Sequence, residues 1–301
     1  MSTTSPTVSA RSAAEITTAT APAGPSRLND MAAVAVAVAS KAITVLAVVI
    51  VVVMISWAAV PGLFSSAHPL AVTPNSLQPP SAQHWFGTDA TGRDVYARVV
   101  YGARHSLAGA LIAVLVGGIV GTAMGVLAGA RGGLVDTLLM RLVDVLLAIP
   151  ALLLSLSIII IVGFGTINAS IAVGVTTVAM FARLARSRVL SVMQADYVEA
   201  AFGSGASFSR VLLRHVLPNS LTPVIAVAAL QFGSAILQIS TLGFLGYGAT
   251  PPTPEWGLLV ADGRDYVATA WWLTVLPGLV VVLAVLAVTR LSRLVHRKVA
   301  V

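Results

Sequence analysis

The sequence predicts an all-α integral membrane protein with six transmembrane helices. Three observations carry that prediction. Only 10% of the 301 residues are charged and 57% are hydrophobic, against about 25% charged in soluble domains. The mean hydropathy is +0.93. Long windows at 42–60, 107–130, 145–182, 215–254 and 266–289 contain no Asp, Glu, Lys or Arg. An ionisable group at mid-bilayer costs at least about 2.5 kcal/mol, so these windows mark the apolar spans. The net charge of +7 alone would suit a nucleic-acid binder, but the apolar fraction argues against a nucleic-acid partner. With no cysteine in the chain, disulfides, thiolate zinc sites and cysteine catalysis are excluded.

Residues 1–35, rich in Ser, Thr, Ala and Pro at their start, read as a disordered tail. The first transmembrane helix follows at 36–60, its apolar span closing at Trp57 and Pro61; its length makes it an uncleaved anchor rather than a signal peptide. Residues 61–103 form a loop. A five-helix core at 104–292 follows, and 293–301 form a basic tail. Since a spanning helix needs about 20 apolar residues, the 145–182 window divides into two spans at Gly163–Asn168. The 215–254 window is one span followed by a Gly/Pro-rich loop. The expected helices are 40–60, 106–129, 145–163, 167–186, 218–242 and 270–290.

Topology follows from the basic residues. With the N-terminus cytoplasmic, inner segments carry 14 Lys and Arg and outer segments 4, while acidic residues divide 6 and 5. The inner face is +8 and the outer face −1, so both termini are expected in the cytoplasm.

The segment 190–218 is expected to be a cytoplasmic helix–turn–helix. Asp196 lies three residues before Glu199, the spacing of a capping box. Ala200 and Ala201 are small enough for close docking. Gly205 suits a left-handed helix end, Ser207 can cap a second short helix, and Pro218 can open the next span. An ordinary interfacial connector fits these residues equally well.

The order Glu199, Ala200, Ala201, Gly205, His215, Leu217, Pro218 resembles the EAA coupling loop of bacterial ABC-importer permeases, with His215 where Ile is usual. Other segments resemble the dipeptide/oligopeptide/nickel branch, closest to its second (C-type) subunit. They are Phe86–Asp89 with Gly92–Asp94, Tyr101–Arg104, Gly132–Asp136, Met140-Arg141 with Asp144, and Gly243–Gly246. The resemblance spans about 83–298 and implies the ABC-importer permease fold in a bacterial inner (cytoplasmic) membrane. It implies four partners besides the lipid bilayer: a homologous second permease, two cytoplasmic ATPase subunits or domains and an extracytoplasmic solute-binding protein. The coupling loop would dock on the ATPases through Asp196, Glu199, Ala200, Ala201, Gly205, His215, Leu217 and Pro218. The expected cargo is dipeptide or oligopeptide. Nickel, glutathione or haem are alternatives within the branch, and an ATP-independent carrier or channel is the rival outside it.

The residues agree that energy comes from elsewhere. A phosphate-binding loop needs Gly-x-x-x-x-Gly-Lys-Ser/Thr, and neither lysine, Lys41 or Lys298, stands in that setting. The chain is therefore expected to be no enzyme and to bind no cofactor, with ATP and Mg on partner subunits. The five histidines are scattered, so no metal site is expected.

Gly117, Gly121, Gly125 and Gly129 recur every four residues, which lets a neighbouring backbone approach; packing within the chain and a moving interface with the second permease both fit. Gln231, Ser234 and Gln238 share a helical face and are expected to line the translocation pathway, in preference to interhelical hydrogen bonding; Asn168 and Ser240 are further polar candidates. Asp89, Arg93, Asp94 and Trp256 in the outer loops are expected to contact the binding protein; local ion pairing reads equally well.

Overall fold

In the computed structural model, residues 27–299 are described, with side chains over 38–294. The expected tail at 1–35 therefore lies largely outside the described residues, although the chain is already helical from Arg27. Ten α-helices are described and no strand: α1 Arg27–Ala59, α2 Val95–Arg131, α3 Gly133–Ala148, α4 Ala151–Val162, α5 Thr166–Met193, α6 Asp196–Gly203, α7 Phe208–Val211, α8 Leu217–Phe244, α9 Trp256–Gly263 and α10 Trp272–Val299. The described residues from Thr44 onward form one compact unit, and those up to Ile43 are counted as another.

Among the described residues, five segments are long and apolar enough to span a membrane. The bent pair α3–α4 makes a sixth if it is counted as one span. Here the structure corrects the expected continuous helix at 145–163. α3 and α4 meet at a bend of 97°. The cause is Pro150, which holds the preceding Ile149 extended at φ −93°, ψ 128°.

The helix limits differ elsewhere for one reason: charge marks where lipid ends, not where a helix ends. α2 starts at Val95 rather than 106, because the Asp94 side chain accepts the Ala97 N–H at 2.7 Å and caps it. The loop expected at 61–103 therefore ends at Asp94. At the far end, α10 runs through 293–299, where a separate tail was expected.

The core is built around α2 and α5. Gly117, Gly121 and Gly125 face α5, where an added Cβ would overlap Thr177, Val178, Phe181, Ala182 or Ala185. Gly129 meets Val189 at a hypothetical 3.0 Å. The glycine row thus serves packing within this chain, with backbones close enough to exclude side chains between them. Val99, Ala110, Ala113, Ile159, Val173, Ile236 and Ile239 continue this core toward α4 and α8.

Candidate functional site

The segment after α5 is a compact cap of two helices. α6 starts after Ala195, whose carbonyl accepts the Val198 and Glu199 N–H groups. Asp196 occupies the first helical position and makes no cap hydrogen bond, so the expected capping box does not form. Asp196 and Glu199 still place two carboxylates in the first turn, where the helix dipole favours negative charge. The helix ends as its glycine requires. Gly205 sits at φ +83°, the Gly205 N–H donates to the Phe202 carbonyl at 2.9 Å, and the Ala206 N–H donates to the Ala201 carbonyl at 3.1 Å. This pairing is a Schellman end.

Ser207 precedes α7 but caps it through its backbone only. α7 then passes without a break through a π turn, Leu212–Val216, into α8. The spanning helix thus starts at Phe208 rather than opening at Pro218. The wide turn, closed by the Leu217 N–H on the Leu212 carbonyl, precedes the proline, which has no N–H of its own to give.

What holds this cap is a set of residues that the sequence reading did not single out. Val198, Val211 and Val216 are buried together with Val189 of α5. Their signal was present as valines spaced along two short helices, but the partner surface was not. With Val198 pinned inward, Asp196, Glu199 and Ala200 are exposed and Ala201 is half-buried. Tyr197 and Phe202 are also exposed, at 46% and 38%. His215 and Leu217 are half-buried, and Pro218 is exposed. The His215 ring lies 6.5 Å from that of Tyr197. The cap therefore presents a short helix with small, acidic and aromatic residues outward.

On α8, Ser234 is exposed and Gln231 and Gln238 are half-buried, while Gly233, Ala235, Ile236 and Ile239 turn inward. The three polar residues thus share the face that leaves the core. Asn168 does not join them: its amide donates to the Gly163 carbonyl at 3.1 Å and ties down the α4–α5 turn. Ser240 is buried.

The polar loops before α2 and after α8 fold on themselves. Asp89 Oδ2 accepts from Arg93 Nε at 2.7 Å and from Arg98 Nη1 at 2.8 Å, and Arg98 Nη2 donates to Asp262 at 3.2 Å. Burial alone would raise the Asp89 carboxyl, but hydrogen bonds from the Arg93 and Thr91 backbones and side chains outweigh it and hold the group below its usual range. Asp94 pairs with His84 Nδ1 at 2.7 Å. Trp256 is fully buried and its indole N–H donates to the Val99 carbonyl at 2.9 Å. Asp89 and Trp256 therefore brace the loops from inside, a correction to their expected role as contacts for a binding protein. Arg93 and Asp94 are half-buried in the same network.

Glu255 was missed as a brace. It is buried, caps α9 through the Gly257 and Leu258 N–H groups, and accepts from Ser106 Oγ of α2 at 3.1 Å. Burial pushes its carboxyl up, against the opposing hydrogen bonds. Among the described residues no group of three or more His, Asp or Glu is arranged to hold a metal.

Comparison with known proteins follows the same lines. The dipeptide transport system permease of Alkalihalophilus pseudofirmus is 42% identical over 226 residues, 75% of this chain and 74% of that protein. The probable D,D-dipeptide transport system permease of Escherichia coli K12 is 42% identical over 207 residues, 69% and 70% of the two chains. The glutathione transport system permease of Escherichia coli O157:H7 is 42% identical over 208 residues, 69% of each. In fold, the chain is similar to a subunit of the MetNI methionine ABC transporter in an inward-facing conformation, with a TM-score of 0.56 at 18% identity over 67% of this chain and 96% of that one. Residues 121–301 match the family model described as binding-protein-dependent transport system inner membrane component, and the chain belongs to that family of ABC-importer permeases.

Proposed function

We propose that this chain forms, with a homologous second permease, the translocation pathway of a bacterial inner-membrane importer for peptides. Two cytoplasmic ATPases drive it and an extracytoplasmic binding protein delivers the cargo. ATP and Mg are bound by the ATPases, and this chain catalyses no covalent step. Both of its termini lie in the cytoplasm, the side to which the basic residues assign α6. The peptide assignment is supported by three relatives named for dipeptide, D,D-dipeptide and glutathione transport, all of which are amide-linked cargoes.

The observation that carries the reading is α6 itself. A short helix pinned by Val198 and closed by the Gly205 turn presents Glu199, Ala200 and Ala201 at the surface. Small side chains on a rigid helix let a partner groove close on the backbone, as a tightly packed interface requires. Asp196, His215, Leu217 and Pro218 frame that surface. Gln231, Ser234 and Gln238 line the pathway on the face of α8 turned away from this chain's core. Arg93, Asp94 and the exposed Arg264 and Asp265 supply the polar rim that meets the binding protein.

The test is a reconstituted transporter carrying Gly205→Asp or Ala201→Arg. Both variants are expected to insert and assemble, to bind cargo-loaded binding protein, and to lose peptide uptake together with its stimulation of ATP turnover. Normal stimulated turnover in both would remove the coupling assignment. Replacing Gln231, Ser234 and Gln238 together by Ala is expected to lower dipeptide uptake; unchanged uptake would remove the pathway assignment.

A further inference from the structure

α1 is the least buried of the spanning segments: 11% of its most apolar eighteen-residue window is buried, against 56% for α5. Between its residues 51–58 and helices α2, α8 and α10 runs a slot made of two adjoining cavities of about 330 and 450 Å³. The two share Val51, Leu111, Phe232 and Val288. Every lining residue is apolar except Arg104 and Ser292. The Ser292 hydroxyl is already committed to the Ala229 and Val288 carbonyls, at 2.6 and 2.8 Å. Arg104 is exposed and forms no ion pair with a carboxylate among the described residues.

The depth of Arg104 is set by its neighbours. It stands three residues before the charge-free window that starts at Leu107, which puts it at the headgroup level. Trp57 of α1 and Tyr96 of α2 meet edge to face at 6.1 Å on the same side, and such aromatic residues favour the membrane–water interface. The slot runs along α2 from Arg104 to Val114, about 15 Å at about 1.5 Å per residue. An apolar slot of that length, with a cation at its headgroup end, suits an alkyl chain carrying an anionic head.

We propose that the slot holds one acyl chain of an anionic glycerophospholipid, from the leaflet that meets the start of α2, with its phosphate paired to Arg104. The guanidinium fork matches phosphate oxygens, and the apolar lining would otherwise be bridged by mobile lipid. The bound lipid joins α1 to the core where protein contacts are sparse.

The test is native mass spectrometry of the full transporter released from nanodiscs of phosphatidylglycerol or phosphatidylcholine, a readout that needs neither transport nor ATP turnover. One phosphatidylglycerol is expected to stay with each copy of this chain, in preference to phosphatidylcholine. Arg104→Gln is expected to weaken retention about five-fold, and Arg104→Lys, which keeps the charge but not the fork, to weaken it less. Ala108→Phe, at an exposed position in the slot, is expected to expel the lipid while Arg104 remains. Added inorganic phosphate is expected not to displace it. Equal retention of the two lipids, retention unchanged in Arg104→Gln or in Ala108→Phe, or displacement by inorganic phosphate would each overturn the proposal. So would efficient cross-linking of Ala58→Cys, in this cysteine-free chain, to another subunit.

Discussion

Arg98 on α2 and Asp262 on α9, 164 residues apart in sequence, meet at 3.2 Å. Through the same guanidinium Arg98 also holds Asp89, so the loop before α2 and the loop after α8 are tied to one buried cation. Arg98 is 1% exposed. Its removal would leave Asp89 with Arg93 alone as its cationic partner, so the loss is that of a charge-assisted hydrogen bond, about 1.5–3 kcal/mol.

Arg98→Met is therefore expected to destabilise the detergent-solubilised protein by about 1.5–3 kcal/mol, seen as a lower melting temperature. Asp262→Asn removes a partner whose side chain is 35% exposed and should cost at most about 1 kcal/mol. Equal effects of the two variants would contradict the inward pairing to Asp89.

The α2–α5 contact discriminates between two glycines three residues apart. A Cβ at Gly121 would lie 2.7 Å from the Phe181 Cβ and overlap the Val178 carbonyl, whereas at Gly118 the nearest atom is 3.9 Å away. Gly121→Ala is expected to cost about 1–3 kcal/mol as overpacking. Gly118→Ala should be neutral or stabilising by up to about 1 kcal/mol, since glycine weakens a helix interior. Thermal melts of the two variants under one condition decide this.

At Gly205 the constraint is conformational alone. Its φ is +83° and a Cβ would meet nothing within 4 Å. Gly205→Ala should thus cost about 1–2 kcal/mol of local stability, with Gly205→Asn milder. Hydrogen exchange of the 196–206 backbone should accelerate while α2 and α5 stay protected.

Acid should loosen the loops before α2 and after α8 through Asp89. Its carboxyl is held below the usual range in the folded protein, so the fold binds the charged form more favourably than the unfolded chain does. That stabilisation is fully present above the unfolded value of about 3.9 and is lost as pH falls below it through the folded value. Melting temperature should drop over that acidic interval, and Asp89→Asn should flatten the drop while lowering stability at neutral pH.

Much of the architecture was legible because lipid enforces a simple rule on composition. The charge-free windows located the spans, and the residues from Glu199 to Pro218 marked a short helix, a glycine turn and a second helix. The window around Pro150 carries no charge, so hydropathy drew one helix where the proline makes two. The cap of α6 was misplaced by one residue because Asp196 and Ala195 compete for the same position, and backbone geometry decides between them.

The sequence by itself determined the membrane class, the number of apolar segments and the family signature, since these depend on composition and on residues near one another in the chain. Only the tertiary structure decided that the glycine row faces α5, that Val198 turns the acidic face of α6 outward, and that Arg98, Asp89, Asp262 and Glu255 brace the loops before α2 and after α8 from inside. Those outcomes rest on contacts between segments far apart in sequence, where a buried charge or a missing Cβ acquires its meaning from the surface brought against it.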